Sequence, residues 1–144
     1  MSDILAYTDP ANFFPQEWRA QMIGYSTIGV RDMARAKDFY AGLLADIGAS
    51  VLMDMERIAF IGKSMNEPML AVCIPYDEND PHPGNGNMIA INPGSKEMVD
   101  KLYAKALELG ATSEGEPGQR IDDVFYGAYI RDPDGNKIAF FQFG

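Results

Sequence analysis

A chain of 144 residues, 47% hydrophobic and 23% charged, is long enough to bury one core without a disulfide or a metal to hold it. Its one cysteine, Cys73, excludes a disulfide framework and a multi-cysteine zinc or iron–sulfur centre, and no apolar run nears the roughly 20 residues of a membrane span. Twelve Lys plus Arg against 21 Asp plus Glu give a net charge of −9, a field that repels phosphate backbones, argues against nucleic acid as a partner and favours cationic small molecules.

Residues 1–21 read as an N-terminal arm. They lack the basic start and apolar centre of a secretory signal, so a cytoplasmic location is expected. Phe13, Phe14 and Trp18 give the arm apolar surface to dock on the body of the protein or on a second subunit. A strand pattern follows over 22–30, then a helix predicted over 33–47. Phe39, Tyr40, Leu43, Leu44 and Ile47 recur there at spacings of three and four, which puts them on one face. Asp32 stands at the N-cap and Gly48 at the left-handed position that ends the helix. Strands are predicted over 51–55, 57–61 and 69–74, and 75–87 is a polar, Pro- and Gly-rich connection.

The second half opens with a strand pattern over 88–92. A helix is predicted over 96–109, with Val99, Leu102, Tyr103, Ala106 and Leu109 on its buried stripe, Ser95 as N-cap and Gly110 as stop. Strands are expected over 111–114, 124–131 and 137–142. Residues 113–123 read as a long polar loop, the kind that serves as a lid or binding loop. Arg120 is its only cation, either solvated or reaching over to an anionic group of a substrate.

The order repeats. Tyr25 and Met88, Ile28 and Ile91, Phe39 and Leu102, and Tyr40 and Tyr103 are each 63 residues apart. The fold expected is therefore α+β, a single domain of two βαβββ modules over 22–75 and 86–144 joined by a linker at 76–85.

With those modules, the chain resembles the vicinal oxygen chelate superfamily, which holds glyoxalase I, bleomycin-resistance proteins and extradiol dioxygenases. The resemblance rests on the stretches at 23–30 (IGYSTIGV), 35–40 (RAKDFY) and 126–138, where a strand runs through Asp132-Pro133-Asp134-Gly135-Asn136 into the last strand. It implies that the modules form a cup-shaped, curved mixed sheet, that subunits pair as homodimers, and that a divalent metal sits in the cup on four side chains from the first and last strands of each module. One fold hosts many chemistries, so the resemblance does not fix an activity.

At the positions where the family places metal ligands, this chain carries Tyr25, Met88 and Ala139; the fourth position falls on 69–74, near Ala71 or Cys73. Phenol, thioether and methyl are not a metal-binding set at neutral pH, and the one histidine, His82, lies in the linker between two prolines. No metal or other cofactor is expected. Strand alternation turns Tyr25, Thr27 and Gly29, with Met88, Ala90 and Asn92, into the cup, joined by Lys137, Ala139 and Phe141, while Tyr129 or Tyr126 enters from the neighbouring strand. Tyr25, Thr27, Met88, Ala90, Asn92, Arg120, Tyr129, Ala139 and Phe141 are the candidate ligand pocket. The plain alternative is that Tyr and Met on a half-buried sheet are only core.

Three other patterns carry less. The turn at 132–136 has its glycine too early and lacks the closing Glu of a calcium loop, so it reads as a hairpin turn. Gly84-Asn85-Gly86-Asn87 lacks the third glycine of a nucleotide loop and reads as a turn into the second module. Cys73, without a neighbouring base, reads as a small buried hydrophobe.

Three functions fit. A metal-free small-molecule binder of the bleomycin-resistance type is favoured by the missing ligands. A glyoxalase-like lyase, isomerase or dioxygenase-related enzyme, working without metal or holding one on residues outside the family's positions, would use Tyr25 as its acid/base group. A non-catalytic dimeric scaffold would have a cup filled by its own side chains, whereas a cavity of several hundred cubic ångströms argues for a ligand.

Overall fold

The computed structural model describes residues 20–144; the proposed arm, with Phe13, Phe14 and Trp18, lies outside the described residues. The first module runs β1 (Tyr25–Gly29), α1 (Met33–Leu44) with a 3-10 turn (Ala45–Ile47), β2 (Ser50–Asp54), β3 (Ile58–Gly62) and β4 (Met69–Cys73). The second runs β5 (Ile89–Ile91), α2 (Lys96–Glu108), β6 (Thr112–Ile121), β7 (Phe125–Arg131) and β8 (Lys137–Phe143). The two four-stranded sheets have matching orders, β1-β4-β3-β2 and β5-β8-β7-β6, with the first and last strand of each module parallel. The expected α+β architecture of paired modules is what the chain adopts, with a helix on one face of each sheet and the opposite faces forming the open cup.

Local chemistry sets the helix ends. The Asp32 carboxylate accepts the Arg35 amide and the Ser95 hydroxyl accepts the Met98 amide, each satisfying an otherwise unpaired first-turn donor. Gly48 (φ 83°) and Gly110 (φ 109°) take left-handed conformations that a side chain would strain. The helix predicted over 33–47 tightens into the 3-10 turn for its last three residues.

Alternation puts Ile28, Val30, Ala59, Ile61, Leu70 and Val72 of the first sheet, and Ala128, Ile130, Ile138 and Phe140 of the second, under the helices. There they meet Phe39, Tyr40 and Leu43 of α1 and Val99, Leu102 and Ala106 of α2 in one continuous apolar cluster. The two modules thus share a core. Fully burying one such Leu or Ile is worth about 1.5–3 kcal/mol.

A polar knot fastens them further. Asp132, 4% exposed, accepts the Tyr40 hydroxyl at 2.6 Å, the amides of Asp134 and Asn136 at 2.9 and 2.8 Å, and Asn136 Nδ2 at 3.1 Å. Asn136 Nδ2 also donates to the Gly29 carbonyl, 2.9 Å away. Asp134 accepts from the Arg31 amide and from the guanidinium groups of Arg31 and Arg35. Every carboxylate of this hairpin turn is engaged by protein donors, which is why it fits a turn and not a calcium loop. Burial, then the Asp132 carboxylate, push the Tyr40 phenol well above its ordinary pKa.

The expected polar loop at 113–123 is instead most of an irregular strand, β6. Its sequence, with Gly115, Pro117 and Gly118, is poor in strand formers. As the sheet's edge it needs partners on one side only, and three register shifts against β7 absorb the glycines and the proline.

Candidate functional site

The outer edges of β1 and β5 are not hydrogen-bonded to each other. They face across a seam, and two cavities open along it. One, about 390 Å³, lies between Thr27 and Gly29 of β1, the linker residues His82, Pro83, Gly84, Gly86 and Asn87, Met88, and Lys137 at the start of β8. The other, about 660 Å³ and more apolar, lies further along, against Ile23, Ser26, Met69 and Leu70 on one side and Ala90, Ile91 and Asn92 on the other. Met88 and Ile89 line both. These volumes fall in the range of small-molecule sites.

The linker makes the first cavity's rim. Pro81 sits so close over β1 that a Cβ on residue 29 would stand 2.7 Å from the Pro81 Cβ, so only glycine fits there. Arg31 Nη2 donates to the Pro81 carbonyl at 2.9 Å, and a turn closed by the Asn87 amide on the Gly84 carbonyl (3.1 Å) leads into the second module.

The candidate pocket residues divide. Thr27 and Met88 line the smaller cavity and Met88, Ala90 and Asn92 the larger. Met88 precedes β5 and does not belong to it, and Asn92 caps its own turn through the Gly94 amide. Tyr25, 53% exposed, lines neither; its ring meets Phe60 edge-on at 4.9 Å. Ala139 lies on the open face with no exposed surface. Ladder pairing equates it with Ala71: Ala139 stands opposite Ala90 and Ala71 opposite Thr27, each two residues after the positions of Met88 and Tyr25. Ala71 is equally buried.

Tyr129, Arg120 and Phe141 form a second group on the open face of the second sheet. Tyr129 pairs with Ala139; the Arg120 guanidinium lies 5.5 Å and Lys137 Nζ 5.4 Å from its ring centre. Phe125 stacks on Phe141 with ring centres 5.5 Å apart and planes 2° from parallel. The choice between Tyr129 and Tyr126 falls to Tyr129. Tyr126 faces the helix side, where its hydroxyl donates to Asp100 at 2.5 Å, a bond that raises its pKa. Cys73 is partly exposed, and desolvation raises its thiol pKa, which suits an unreactive thiol.

Sequence reasoning left out Lys137, His82 and Asn87. Lys137 was placed on the cup face by alternation but not in the pocket; His82 and Asn87 reach it because the linker folds back across β1. Among the described residues no three His, Cys, Asp or Glu side chains are grouped to hold a metal ion, and no helix is long and apolar enough to cross a membrane.

Paired βαβββ modules with cavities on their common seam define a class of repeat-built, cup-forming domains. Residues 22–140 match the family model of the Glyoxalase/Bleomycin resistance protein/Dioxygenase superfamily, and the chain belongs to that family. A glyoxalase/bleomycin resistance protein from Albidiferax ferrireducens T118 is 30% identical with a TM-score of 0.76, over 84% of this chain and 98% of that one. A glyoxalase/bleomycin resistance protein/dioxygenase family enzyme from Burkholderia phytofirmans PsJN (19% identity, TM-score 0.66, 82% of this chain and 95% of that one) and a glyoxalase-related enzyme from Fulvimarina pelagi (18%, 0.67, 85% and 88%) share the fold. No match is found among curated proteins.

Proposed function

We propose that this protein binds a small molecule in the seam between its two modules, without a metal ion. The observation that carries the reading is the donor set. At the family's metal positions stand the phenol of Tyr25, the thioether of Met88 and the methyl groups of Ala71 and Ala139, the last two without exposed surface. A divalent ion needs several hard or borderline donors converging on one point, and this set does not fit one. The cavity of about 390 Å³ supports a ligand-binding role over that of a bare scaffold. Elemental analysis of protein purified without chelator is expected to find less than about a tenth of an equivalent of any transition metal, and a saturating ligand is expected to raise Tm by mass action. Near one bound equivalent of metal, with loss of folding or ligand binding on its removal, would sink the reading.

A homodimer belongs to the same proposal. Ile121, Val124 and Phe143 (64% exposed) sit together at one end of the second sheet, where Phe125 pairs with both Ile121 and Phe143, an apolar patch suited to a second copy. Phe143→Glu is expected to give a monomer in sedimentation equilibrium; an unchanged mass assigns the contact elsewhere.

A further inference from the structure

We infer that the ligand is an anion with a flat aromatic or conjugated body, lying on the open face of the second sheet beside the smaller seam cavity, its charge held by Lys137 and Arg120. The inference rests on the small-molecule reading above and narrows it.

The overall charge points the other way, so the local arrangement has to outweigh it. Lys137 and Arg120 both approach the Tyr129 ring, at 5.4 and 5.5 Å. Among the described residues neither has a carboxylate within the 4.0 Å of an ion pair, which they share with Arg57, Lys63 and Lys96, whereas Arg31, Arg35, Lys37, Lys101, Lys105 and Arg131 are paired. Glu114, which feels the Lys137 charge, is paired with Arg131 at 2.6 Å. Lys137 also forms part of the wall of the smaller cavity, with Thr27, His82 and Asn87, and that wall includes no Asp or Glu. Of the five described cations without an ion pair, these two share one aromatic ring on one open face, and charges beside a ligand outweigh distant ones screened by salt.

Arg120 is held in place. Its guanidinium folds back along β6 and donates to the Glu116 carbonyl. A Cβ on Gly115 would lie 3.2 Å from Arg120 Nη2 and 3.0 Å from Tyr129, and a Cβ on Gly118 would lie 3.2 Å from Arg120 Nη1. The two glycines that make β6 irregular leave the space in which the cation meets the ring. Beyond Tyr129 on the same face, Gly127 leaves room for Phe125 to lie across it, 2.8 Å from where a Cβ would be, and to stack on Phe141. Cations beside an aromatic shelf recognise a carboxylate or phosphate on a planar body: the charge takes the Lys and Arg donors, and the rings stack.

The test is calorimetric titration of the full chain with three probes of one shape: 1-naphthoate, 1-naphthamide and 1-naphthylmethylammonium. Naphthoate is expected to bind at least about tenfold tighter than the amide, the size of one charge-assisted contact, and the advantage should shrink as salt rises. Lys137→Met and Arg120→Leu are each expected to remove most of that preference while changing amide affinity by less than about twofold, with Tyr129 and Gly127 amide resonances shifting on binding. Equal binding of naphthoate and amide overturns the inference and leaves the small-molecule reading standing. Preference for the ammonium probe overturns it in favour of a cationic ligand. No binding of any probe overturns it too, while elemental analysis and ligand-induced change in Tm decide the reading beneath it.

Discussion

The two sheets share one strand order and one pattern of inward-facing residues, yet their open faces differ. The first carries Tyr25, Thr27, Gly29, Phe60 and Ala71, with its two largest rings closed on each other. The second carries Tyr129 with Lys137 and Arg120, and a stacked Phe125 and Phe141. On the helix side the halves are interchangeable in kind: aliphatic strands under a capped amphipathic helix. Packing constrains that side in the same way twice, because both helices must fill one common core. The open side is free of that constraint, and there the halves diverge into a closed aromatic contact and a charged shelf.

The largest test of the shared side is cavity creation in each half. Leu43→Ala in α1 and Leu102→Ala in α2 remove side chains with no exposed surface and are each expected to cost about 2–5 kcal/mol in urea unfolding. Because the core is continuous, each should move a single transition; two transitions would mean that the modules fold independently. Next is the knot between halves. Tyr40→Phe removes the hydroxyl from Asp132 and is expected to cost about 1–3 kcal/mol, whereas Asp132→Ala, which orphans several donors at once, should exceed it. The sign with pH follows from the raised pKa of Tyr40. Its contribution is complete below the ordinary phenol pKa and is lost as pH rises through the folded value, since the unfolded chain ionises first. Wild-type stability should therefore fall in alkali more steeply than that of Tyr40→Phe. The smallest effect concerns β6. Its Arg131 partner holds the Glu114 carboxyl below its usual range, so the pair's contribution is present above the ordinary Glu pKa and lost as pH falls through the lowered one. Glu114→Gln should leave Tm nearly unchanged once the wild-type carboxyl is protonated in acid and lower it slightly at neutral pH, a surface-pair effect that salt abolishes.

Most of the architecture was legible because it depends on local, periodic signals. The stripe from Phe39 to Leu44, the caps Asp32 and Ser95, and the stops Gly48 and Gly110 all act within a few residues of where they stand. β6 was not legible, since Gly115, Pro117 and Gly118 oppose a strand and only pairing with β7 makes one. The candidate site was legible in part. Alternation fixes which residues share the open face, Thr27, Tyr129 and Lys137 among them, since orientation follows from period two. It gives no account of depth or reach, and of the candidate pocket Tyr25, Arg120, Tyr129, Ala139 and Phe141 line neither cavity. His82 and Asn87 depend on how the linker returns over Gly29, a non-local contact with no signature in either segment alone.

The turn at 132–136 has a bearing on how the chain is made. Tyr40, Gly29, Arg31 and Arg35 belong to the first module, but their polar partners are Asp132, Asp134 and Asn136. A ribosome that has released only the first module and linker has released the Tyr40 phenol and the Arg35 guanidinium, whose carboxylates do not yet exist, and Arg31 with only Asp80 to pair with. That half is left with the Tyr40 hydroxyl unsatisfied in what will become its core, at a cost of about 1–3 kcal/mol. Nascent chains are thus expected to stay protease-sensitive through translation of most of the second module, and to become resistant in one step once the turn emerges.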